Sequence, residues 1–538
     1  IVCGIQIHHE PSLCLIEDGE VIWYQEERKL SKIKKIQFIP FRCIDLLFSG
    51  DPIKVDKFVV TGYTYSDTET GQIESYLHYK NILPHGEKVV GFDTPHHLAH
   101  VYKSYIDSGF KKARVFVVDG RGSDWYLSDK SETYETCSVY DVDETEIKCL
   151  YKKVWSKENK PAGTTIDFKY HPSKNKQWVT NYDPISVDEN TKVEISNKLD
   201  LGHFYAYMSL HCGFEEEEGK FMGYQSYGKF DEKIYNLFKK GITQEEIKKL
   251  PINHNVAHTA QIYFERQYGA LVEQFECENM VFSGGTALNV INNRKLVQKF
   301  KKSNLWFDPL CADVGNSIGM ARAYLICYYK YKLKPLKNIY ISNTPNNFLT
   351  LSKTEKITTV DLKDVMHLLK KGNVVGLFQG KSEAGPRALG HRSLLLDPTL
   401  PRGKDIMNTI KKREWFRPFA CSILEEKADE WFEMVGIKKS PYMMYAFQAK
   451  KIAIEKTPAI IHVDNTCRVQ TVTEDENKVL YNILKNFKVP LIMNTSMNLA
   501  GDAMNETLDD ALITLRQSPL KYIYLPQQHT LIEKIIWI

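Results

Sequence analysis

Short apolar runs alternate along this chain with longer amphipathic stretches, which is the pattern of an α/β protein. Residues 1–7 are mostly apolar, and two further apolar runs at 12–16 and 21–24 flank Asp18-Gly19. Because Asp-Gly favours a tight two-residue turn, the pattern predicts one strand followed by a hairpin. Later runs predict more strands at 57–60, 88–92, 115–118, 280–282 and 374–378. Helical spacing between them, for example at 260–275, completes the α/β pattern.

The chain is too long for a single core, since domains rarely exceed about 250–300 residues. A polar stretch at residues 342–347 separates the first α/β pattern from a second one that begins near residue 351. We therefore predict two domains, 1–345 and 346–538. Residues from about 155 to 200 are polar and aperiodic, and they predict a long excursion that serves as a lid, a substrate loop or simple surface.

The composition is that of an ordinary globular protein, with 43% hydrophobic and 26% charged residues and a net charge of +4. This small charge disfavours a dedicated nucleic-acid-binding protein but leaves a nucleotide substrate open. No apolar run approaches the roughly 18 residues of a membrane span, and no secretory signal is recognisable at the start. The 11 cysteines never occur as Cys-x-x-Cys, which favours free thiols. We expect a cytoplasmic protein with no membrane partner.

A loop rich in glycine and cations follows the predicted strand at 374–378. It runs from Gln379 to Ser393 and carries Lys381, Arg387 and Arg392. Glycines let backbone N–H groups approach an anion, and arginine side chains grip phosphate or carboxylate oxygens in pairs. Further cations stand in two downstream motifs, at Lys411, Arg413, Arg417 and Arg468. Three such clusters indicate a polyanionic small molecule, with solvated surface charge as the alternative.

A histidine pair indicates a metal site. His96 and His100 lie one turn apart on a predicted helix, so both side chains point the same way. Asp313 stands at a predicted strand-to-helix turn from which its carboxylate can reach a cleft. Two histidines and one carboxylate suit iron(II), manganese or zinc. Packing or capping histidines are the alternative, because His-x-x-x-His alone is weak evidence.

Three further segments have the composition of ligand-binding turns. Residues 119–123 and 283–289 each follow a predicted strand, and the second opens a predicted helix whose N-terminus attracts phosphate or ribose. Residues 219–224 predict a third glycine-rich turn. Each segment is either a structural turn or a nucleotide contact.

Together these motifs resemble the ATP-dependent O-carbamoyltransferases, the group related to nodulation-factor and antibiotic carbamoyltransferases. The resemblance spans nearly the whole chain, and its most specific strings are Gly385-Pro386-Arg387-Ala388-Leu389-Gly390 and residues 462–471. It also covers residues 4–12, 26–28, 96–100, 284–289, 417–420 and 494–498. The resemblance implies an actin/hexokinase-like first domain and a YrdC-like α/β second domain.

The resemblance also implies a reaction. Carbamoyl phosphate and ATP, with Mg(2+), give carbamoyladenylate in the second domain, and a hydroxyl acceptor attacks this intermediate in the metal-bearing first domain. His9 would take the acceptor's proton, although His8 beside it leaves the choice of base open. The Fe(2+) ligands, or those of another divalent metal, would be His96, His100 and Asp313.

Binding roles are implied for residues in both domains. Lys411, Arg417 and Arg468 would be catalytic residues holding carbamoyl phosphate and ATP. The other substrate- or nucleotide-binding residues would be Asp119, Gly284, Gly285, Asn289, Lys381, Arg387, Arg392, His462, Asn494, Ser496 and Asn498.

The acceptor remains open between a small-molecule or sugar hydroxyl and a hydroxymethylpyrimidine, either as a nucleotide or in DNA. Lysines in or beside the excursion would contact a DNA backbone in the second case, unless they are merely solvated: Lys152, Lys153, Lys169, Lys174 and Lys176. Two other functions stay open, a fused tRNA threonylcarbamoylation enzyme and an inactive nucleotide-binding regulator. A homodimer is also compatible with the sequence.

Overall fold

A computed structural model of the protein describes residues 1–34, 37–49, 53–61, 67–92, 94–161, 164, 190–215, 217–342 and 354–535. The chain divides into two compact units. The first comprises Ile1–Ser31, Lys35–Leu288 and Lys299–Asn338, and the second Lys32–Lys34, Asn289–Gln298 and Ile339–Ile538. The predicted boundary between residues 345 and 346 lies outside the described residues, so it stays a prediction.

The first unit begins with a five-stranded sheet. Its spatial order is Glu20–Glu26, Ser12–Glu17, Val2–Gln6, Lys57–Thr61 and Val90–Gly91. The first three strands form an antiparallel meander, and the last two run parallel to Val2–Gln6. Asp18 and Gly19 have φ values of 47° and 78°, as the predicted tight turn requires. The predicted strand and hairpin are confirmed.

The second sheet of this unit repeats the same topology. Its order is Lys192–Ser196, Ile147–Trp155, Glu132–Asp143, Lys112–Val118, Asn279–Ser283 and Asn304–Phe307, with Asp124–Tyr126 paired to Glu132–Asp143. Again an antiparallel meander is followed by two parallel strands. A meander plus two parallel strands, present twice, is the arrangement of the actin/hexokinase-like fold. A small pair, His8–His9 with Gln37–Phe38, stands apart from both sheets.

Two helices pack against each other between these sheets and carry the candidate site. His96–Ser108 contacts the second sheet, and Asn316–Tyr329 contacts the first. They approach so closely that a Cβ on Gly319 would lie 2.1 Å from the carbonyl oxygen of Ala99. The other helices of the unit, including short 3-10 turns, are Glu27–Ser31, Phe41–Leu47, Asp67–Tyr79, Leu201–His211, Glu218–Tyr224, Gln225–Tyr227, Glu232–Lys239, Gln244–Ile247, His254–Gln274, Gly285–Leu288 and Asp313–Gly315.

One predicted element is wrong. Residues 219–224 are not a glycine-rich turn but belong to the helix Glu218–Tyr224. The helix buries Phe221, whose ring packs edge-on against Tyr205 with centroids 5.0 Å apart. Burial of this aromatic face outweighs the entropic cost of glycine in a helix, which is only about 1 kcal/mol per residue.

The second unit is built on one ten-stranded mixed sheet. Its order is Glu355–Thr359, Thr530–Lys534, Tyr522–Leu525, Val375–Phe378, Arg392–Leu396, Leu491–Ser496, Ala420–Leu424, Thr466–Val472, Ala446–Ala449 and Phe432–Glu433. Its helices and 3-10 turns are Val290–Lys299 (up to Gln298), Leu362–Lys370, Gly403–Lys411, Glu425–Lys427, Ala428–Trp431, Lys451–Lys456, Lys478–Asn486, Leu508–Gln517 and Pro526–Gln528. Both faces of the sheet contribute to a single apolar core. The predicted α/β class with two units is confirmed.

Candidate metal centre and anion site

Four side chains of the first unit converge on one point. They are His96 and His100 from one helix, Asp119 at the end of strand Lys112–Val118, and Asp313 from the turn before helix Asn316–Tyr329. Each offers one ligand atom, and these atoms all lie within 4.8 Å of one another. The Nε2 atom of His96 is 3.1 Å from Oδ1 of Asp313 and 3.3 Å from Oδ2 of Asp119. Two imidazoles and two carboxylates are a donor set that fits a divalent transition metal.

The charges of the cluster support this interpretation. Burial opposes protonation of His96, but Asp313 and Asp119 outweigh it and raise the pKa of His96 to about 10. Burial works against Asp313 as well, yet the surrounding histidines hold the pKa of its carboxyl well below its usual range. Both carboxylates are thus strongly anionic in a buried site. A divalent cation between them would balance that charge.

The second ring nitrogen of His100 is held by a buried relay. Nδ1 of His100 lies 3.3 Å from Oγ of Ser283, and this hydroxyl donates to Oδ2 of Asp308 at 3.3 Å. Because the serine proton goes to Asp308, the serine oxygen accepts from Nδ1–H of His100. Nε2 of His100 therefore keeps its lone pair toward the cluster. Lys103, on the same helix, forms a buried ion pair with Asp308.

His9 is the one of the neighbouring histidines that reaches this centre. Its Nδ1 lies 2.9 Å from Oδ2 of Asp313. His8 turns away, with Nε2 3.3 Å from a carboxylate oxygen of Glu69. His8 has a φ of 68°, in the left-handed region, so the backbone turns at this residue and the two side chains do not follow the alternation of an extended strand.

The glycine-rich loop after strand Asn279–Ser283 packs onto the loop of Asp119. Gly284 has a φ of +84°, and a Cβ there would lie 2.4 Å from the carbonyl oxygen of Val118. The amide of Gly285 donates to Oδ1 of Asp119 at 3.3 Å. Asn289 belongs to the second unit, where its Oδ1 accepts from the amide of Asn292 at 3.1 Å and caps the helix.

In the second unit, the predicted anion loop is shaped by buried carboxylates. Oε1 of Glu383 accepts from the amides of Leu389 and His391, at 2.6 and 2.8 Å. Arg392 is buried and donates to four main-chain carbonyls, those of Gln379, Gly380, His391 and Glu506. Arg392 thus holds the loop together. Lys381 is exposed, and its carbonyl oxygen lies 2.6 Å from Nδ1 of His391.

Cations from separate motifs gather in this unit. Burial, reinforced by Arg387, Arg413 and Arg417, holds the pKa of Arg468 well below its usual range. Burial and the charges of Arg413, Arg417 and Lys34 likewise lower the pKa of Lys411. Nε of Arg468 is buried and has no hydrogen-bond partner in the described part of the chain. Lys411 is buried and the arginines are half-buried, so a bound anion would offset the repulsion among these cations.

Polar residues of strand Leu491–Ser496 and the loop after it surround Lys411. Its Nζ donates to Oδ1 of Asn498 at 2.8 Å and to Oγ of Ser496 at 3.3 Å.

Asn494 is fully buried, and its Nδ2 donates to Oγ of Ser422 at 2.8 Å. Its Oδ1 has no hydrogen-bond partner among the described residues. His462 is buried beside the same sheet, and its amide bonds the carbonyl of Thr466 at 2.9 Å.

Comparison with known proteins identifies the family. The family model of the carbamoyltransferase N-terminus matches residues 85–270 and 242–322, and that of the carbamoyltransferase C-terminus matches residues 366–534. The chain belongs to the carbamoyltransferase family. As a member, it is an enzyme, and the resemblance seen in its motifs is confirmed.

Curated relatives match this carbamoyltransferase over most of its length. Nodulation protein U of Rhizobium fredii is 23% identical over 93% of this chain and 90% of its own. Nodulation protein NolNO of Sinorhizobium fredii is 24% identical over 95% of this chain and 77% of its own. A protein of Methanocaldococcus jannaschii, MJ1058, is 29% identical over 78% of this chain and 70% of its own.

Among solved structures, full-length HypF in its phosphate- and nucleotide-bound form aligns at 14% identity with a TM-score of 0.35. The alignment covers 62% of this chain and 56% of the HypF chain. A TM-score this low supports no inference. Within the described residues, no helix of the carbamoyltransferase is both long enough and apolar enough to span a bilayer.

The sequence did not predict one of the candidate metal ligands or the residues that orient the others. Asp119, predicted as a nucleotide contact, lies among the candidate metal ligands. A sequence signal existed, because Asp119 directly follows a buried strand. The supporting roles of Ser283, Asp308 and Glu383 were not predicted, although Ser283 and Glu383 lie in predicted ligand-binding loops, because the sequence spacing of such residues does not reveal which groups they contact.

A second correction concerns the lysines that were predicted as possible DNA contacts. Lys152 is fully buried in an ion pair with Glu135, so it cannot contact a DNA backbone. Lys153 pairs with Glu194 at 2.6 Å and with Asp200 at 2.8 Å. Lys169, Lys174 and Lys176 lie outside the described residues.

Proposed function

We propose that this enzyme is an O-carbamoyltransferase that uses carbamoyl phosphate and ATP, through carbamoyladenylate, to carbamoylate a hydroxyl acceptor. The observation that carries the proposal is the cation cluster of Arg387, Lys411, Arg413, Arg417 and Arg468 in the second unit. Donor and nucleotide are both polyanions, and a cluster of this charge suits their combined phosphates.

The first half-reaction belongs to the second unit. Overall, carbamoyl phosphate, ATP and one water give carbamoyladenylate, pyrophosphate and inorganic phosphate. Water first cleaves carbamoyl phosphate into carbamate and inorganic phosphate. The carbamate oxygen then bonds the α-phosphorus of ATP as the bond from that phosphorus to pyrophosphate breaks. Lys411, Arg417 and Arg468 would neutralise the charge that develops on the departing phosphates. The polar side chains of Asn494, Ser496 and Asn498, which lie around Lys411, would help to orient the substrates.

The loop residues divide into two roles in this proposal. Arg387 lies near enough to Arg468 to depress its pKa, so it belongs with the phosphate-binding cations. Arg392 has its guanidinium engaged with four carbonyls, so we assign it to the shape of the loop rather than to the ligand. His462 and Lys381 stay predictions as binding residues, and Mg(2+) would accompany ATP.

The second half-reaction belongs to the first unit. The acceptor oxygen attacks the carbamoyl carbon, the bond from that carbon to the adenylate oxygen breaks, and AMP leaves. Asp313 accepts from Nδ1–H of His9, so the lone pair of neutral His9 is on Nε2, which would take the acceptor's proton. The metal, Fe(2+) or another divalent ion held by His96, His100, Asp119 and Asp313, would supply Lewis-acid polarisation. Gly284 and Gly285 bring backbone close to this centre and stay candidates for nucleotide contact.

The proposal is tested by mass spectrometry of reaction mixtures. Enzyme, ATP, Mg(2+), divalent metal and carbamoyl phosphate are incubated with a panel of sugars, hydroxymethylpyrimidine nucleosides and DNA that contains such bases. We expect pyrophosphate release that depends on carbamoyl phosphate, and a product heavier by one carbamoyl group. Pyrophosphate release that depends instead on threonine and bicarbonate would support tRNA threonylcarbamoylation, and no release at all would support a regulator.

A further inference from the structure

A cage of aromatic side chains in the first unit surrounds His203. Its Nε2 lies 3.2 Å from the hydroxyl of Tyr134. The ring centroids of Trp155 and Tyr207 lie 5.2 and 5.0 Å from that of His203, both nearly perpendicular to it. On the outer side, the guanidinium of Arg121 covers the ring of Tyr134 at 4.7 Å. None of these five side chains has a role in the proposed chemistry so far.

The cage is attached to the loop that supplies Asp119. Arg121 follows Asp119 by two residues. Gly202, next to His203, packs so tightly that a Cβ on it would lie 2.4 Å from the carbonyl oxygen of Asp119. A group bound at the cage would therefore lie beside the metal centre.

Two polar atoms of the cage lack partners. His203 is only 6% exposed, and its Nδ1 is buried with no hydrogen-bond partner in the described part of the chain. The same holds for Nε1 of Trp155, an obligate donor. Leaving a buried donor unpaired is unfavourable, so such atoms in a native fold call for a ligand or a water.

The cage also reaches the surface. Tyr134, Trp155 and Tyr207 are half-buried, and the side chain of Arg121 is 61% exposed. Burial, together with the charge of Arg121, lowers the pKa of His203 to about 4, so its imidazole is neutral at physiological pH. A neutral imidazole beside an indole N–H suits an uncharged oxygen rather than a phosphate.

We propose that this cage binds the ring of the carbamoyl acceptor, with the flat face of the ring against the aromatic side chains and a ring-edge oxygen bonded to Trp155 Nε1 and His203 Nδ1. The inference rests on the proposed function and narrows its acceptor to a cyclic, uncharged ring that carries the hydroxyl. A sugar and a pyrimidine base share this chemistry, because each has one face that can pack against an aromatic ring and oxygens at the ring edge.

Binding is measured by saturation-transfer NMR and calorimetry with methyl glucoside and 5-hydroxymethylcytidine as separate probes. We expect one probe to bind, which identifies the ring as a sugar or a base. Trp155→Phe keeps the ring but removes the N–H, and it should weaken that binding about tenfold, the usual value of one buried hydrogen bond. Trp306→Phe, at a half-buried tryptophan on an edge strand of the same sheet, should bind as the wild type does.

His203→Phe provides a second variant, since it keeps an aromatic ring and removes Nδ1, and it should weaken binding similarly. Binding of neither probe, or equal binding by Trp155→Phe and Trp306→Phe, overturns the inference. Pyrophosphate release is measured in the same proteins and should be unchanged in all of them. Its absence from the wild type would instead contradict the proposed function, and the probe-binding result would stand separately.

Discussion

Nδ1 of His9 lies 2.9 Å from Oδ2 of Asp313, although 304 residues separate the two in the chain. The other carboxylate oxygen of Asp313 is 3.1 Å from Nε2 of His96, so one carboxylate joins the proposed base to the metal centre. The proposed base is therefore oriented by a side chain that the metal itself would hold. This shared carboxylate is the basis of the first prediction.

His9→Gln should reduce carbamoyl transfer by at least 100-fold, the usual minimum contribution of a general base. Pyrophosphate release should persist, because the second unit is untouched. His8→Gln is the matched control, since His8 faces Glu69, and it should keep most of the transfer activity. Product formation and pyrophosphate are measured in parallel. If His8→Gln were the inactive variant, the assignment of the base would be reversed.

Ser283→Ala should weaken divalent-metal affinity about tenfold or more, because it breaks the relay that orients the ring of His100. Competition with a chelator measures this affinity without any assay of activity. Ser209→Ala is the control, because Ser209 is equally buried but bonds the carbonyl of Phe214. Equal affinities for the two variants would show that the relay does not support a metal ligand.

Metal removal should separate the half-reactions. After chelation and the return of Mg(2+) alone, or in His100→Ala, we expect transfer to the acceptor to stop and pyrophosphate release to continue, because the two sites belong to different units. The measurements are product mass and pyrophosphate. Restoring Fe(2+), Mn(2+) or Zn(2+) one at a time to the chelated wild type then identifies the ion. Joint loss of both half-reactions would argue for a single shared site.

Arg468→Gln should abolish pyrophosphate release that depends on carbamoyl phosphate, with a loss of at least 100-fold, because glutamine cannot supply the charge and paired donors of a guanidinium at a phosphate. Arg402→Gln is the control, since the side chain of Arg402 is 86% exposed. A coupled pyrophosphate assay measures both. Normal release by Arg468→Gln would remove the basis for the second-unit assignment.

Stability of the anion-free protein should rise with pH over the range below 10.5, the ordinary pKa of a lysine. Burial and neighbouring cations lower the pKa of Lys411 from its ordinary 10.5, so between the lowered value and 10.5 the unfolded chain binds more protons than the folded one. Stability increases with pH wherever that holds. Pyrophosphate should raise the thermal midpoint more at the lower pH values of this range, and it should therefore reduce the change of stability with pH. Lys411→Met should flatten it without pyrophosphate, and an unchanged slope in that variant would contradict the prediction.

Much of the fold follows from local pattern. The hairpin at Asp18-Gly19 and the helix from His96 were predicted because turn chemistry and 3.6-residue spacing act over a few neighbours. Residues 219–224 were mistaken for a turn, because their glycines suggest one and only the tertiary contacts of Phe221 favour the helix.

The family, the α/β class, the histidine pair and the cationic motifs can all be predicted from the chain alone, because each depends on contiguous residues. The structure was needed to show that Asp119 joins the candidate metal ligands, that His9 rather than His8 faces them, and that Arg392 binds its own loop. Those outcomes depend on contacts between segments far apart in the chain, where strand order and side-chain direction determine which groups meet. The spacing of residues within one segment carries no information about these long-range contacts.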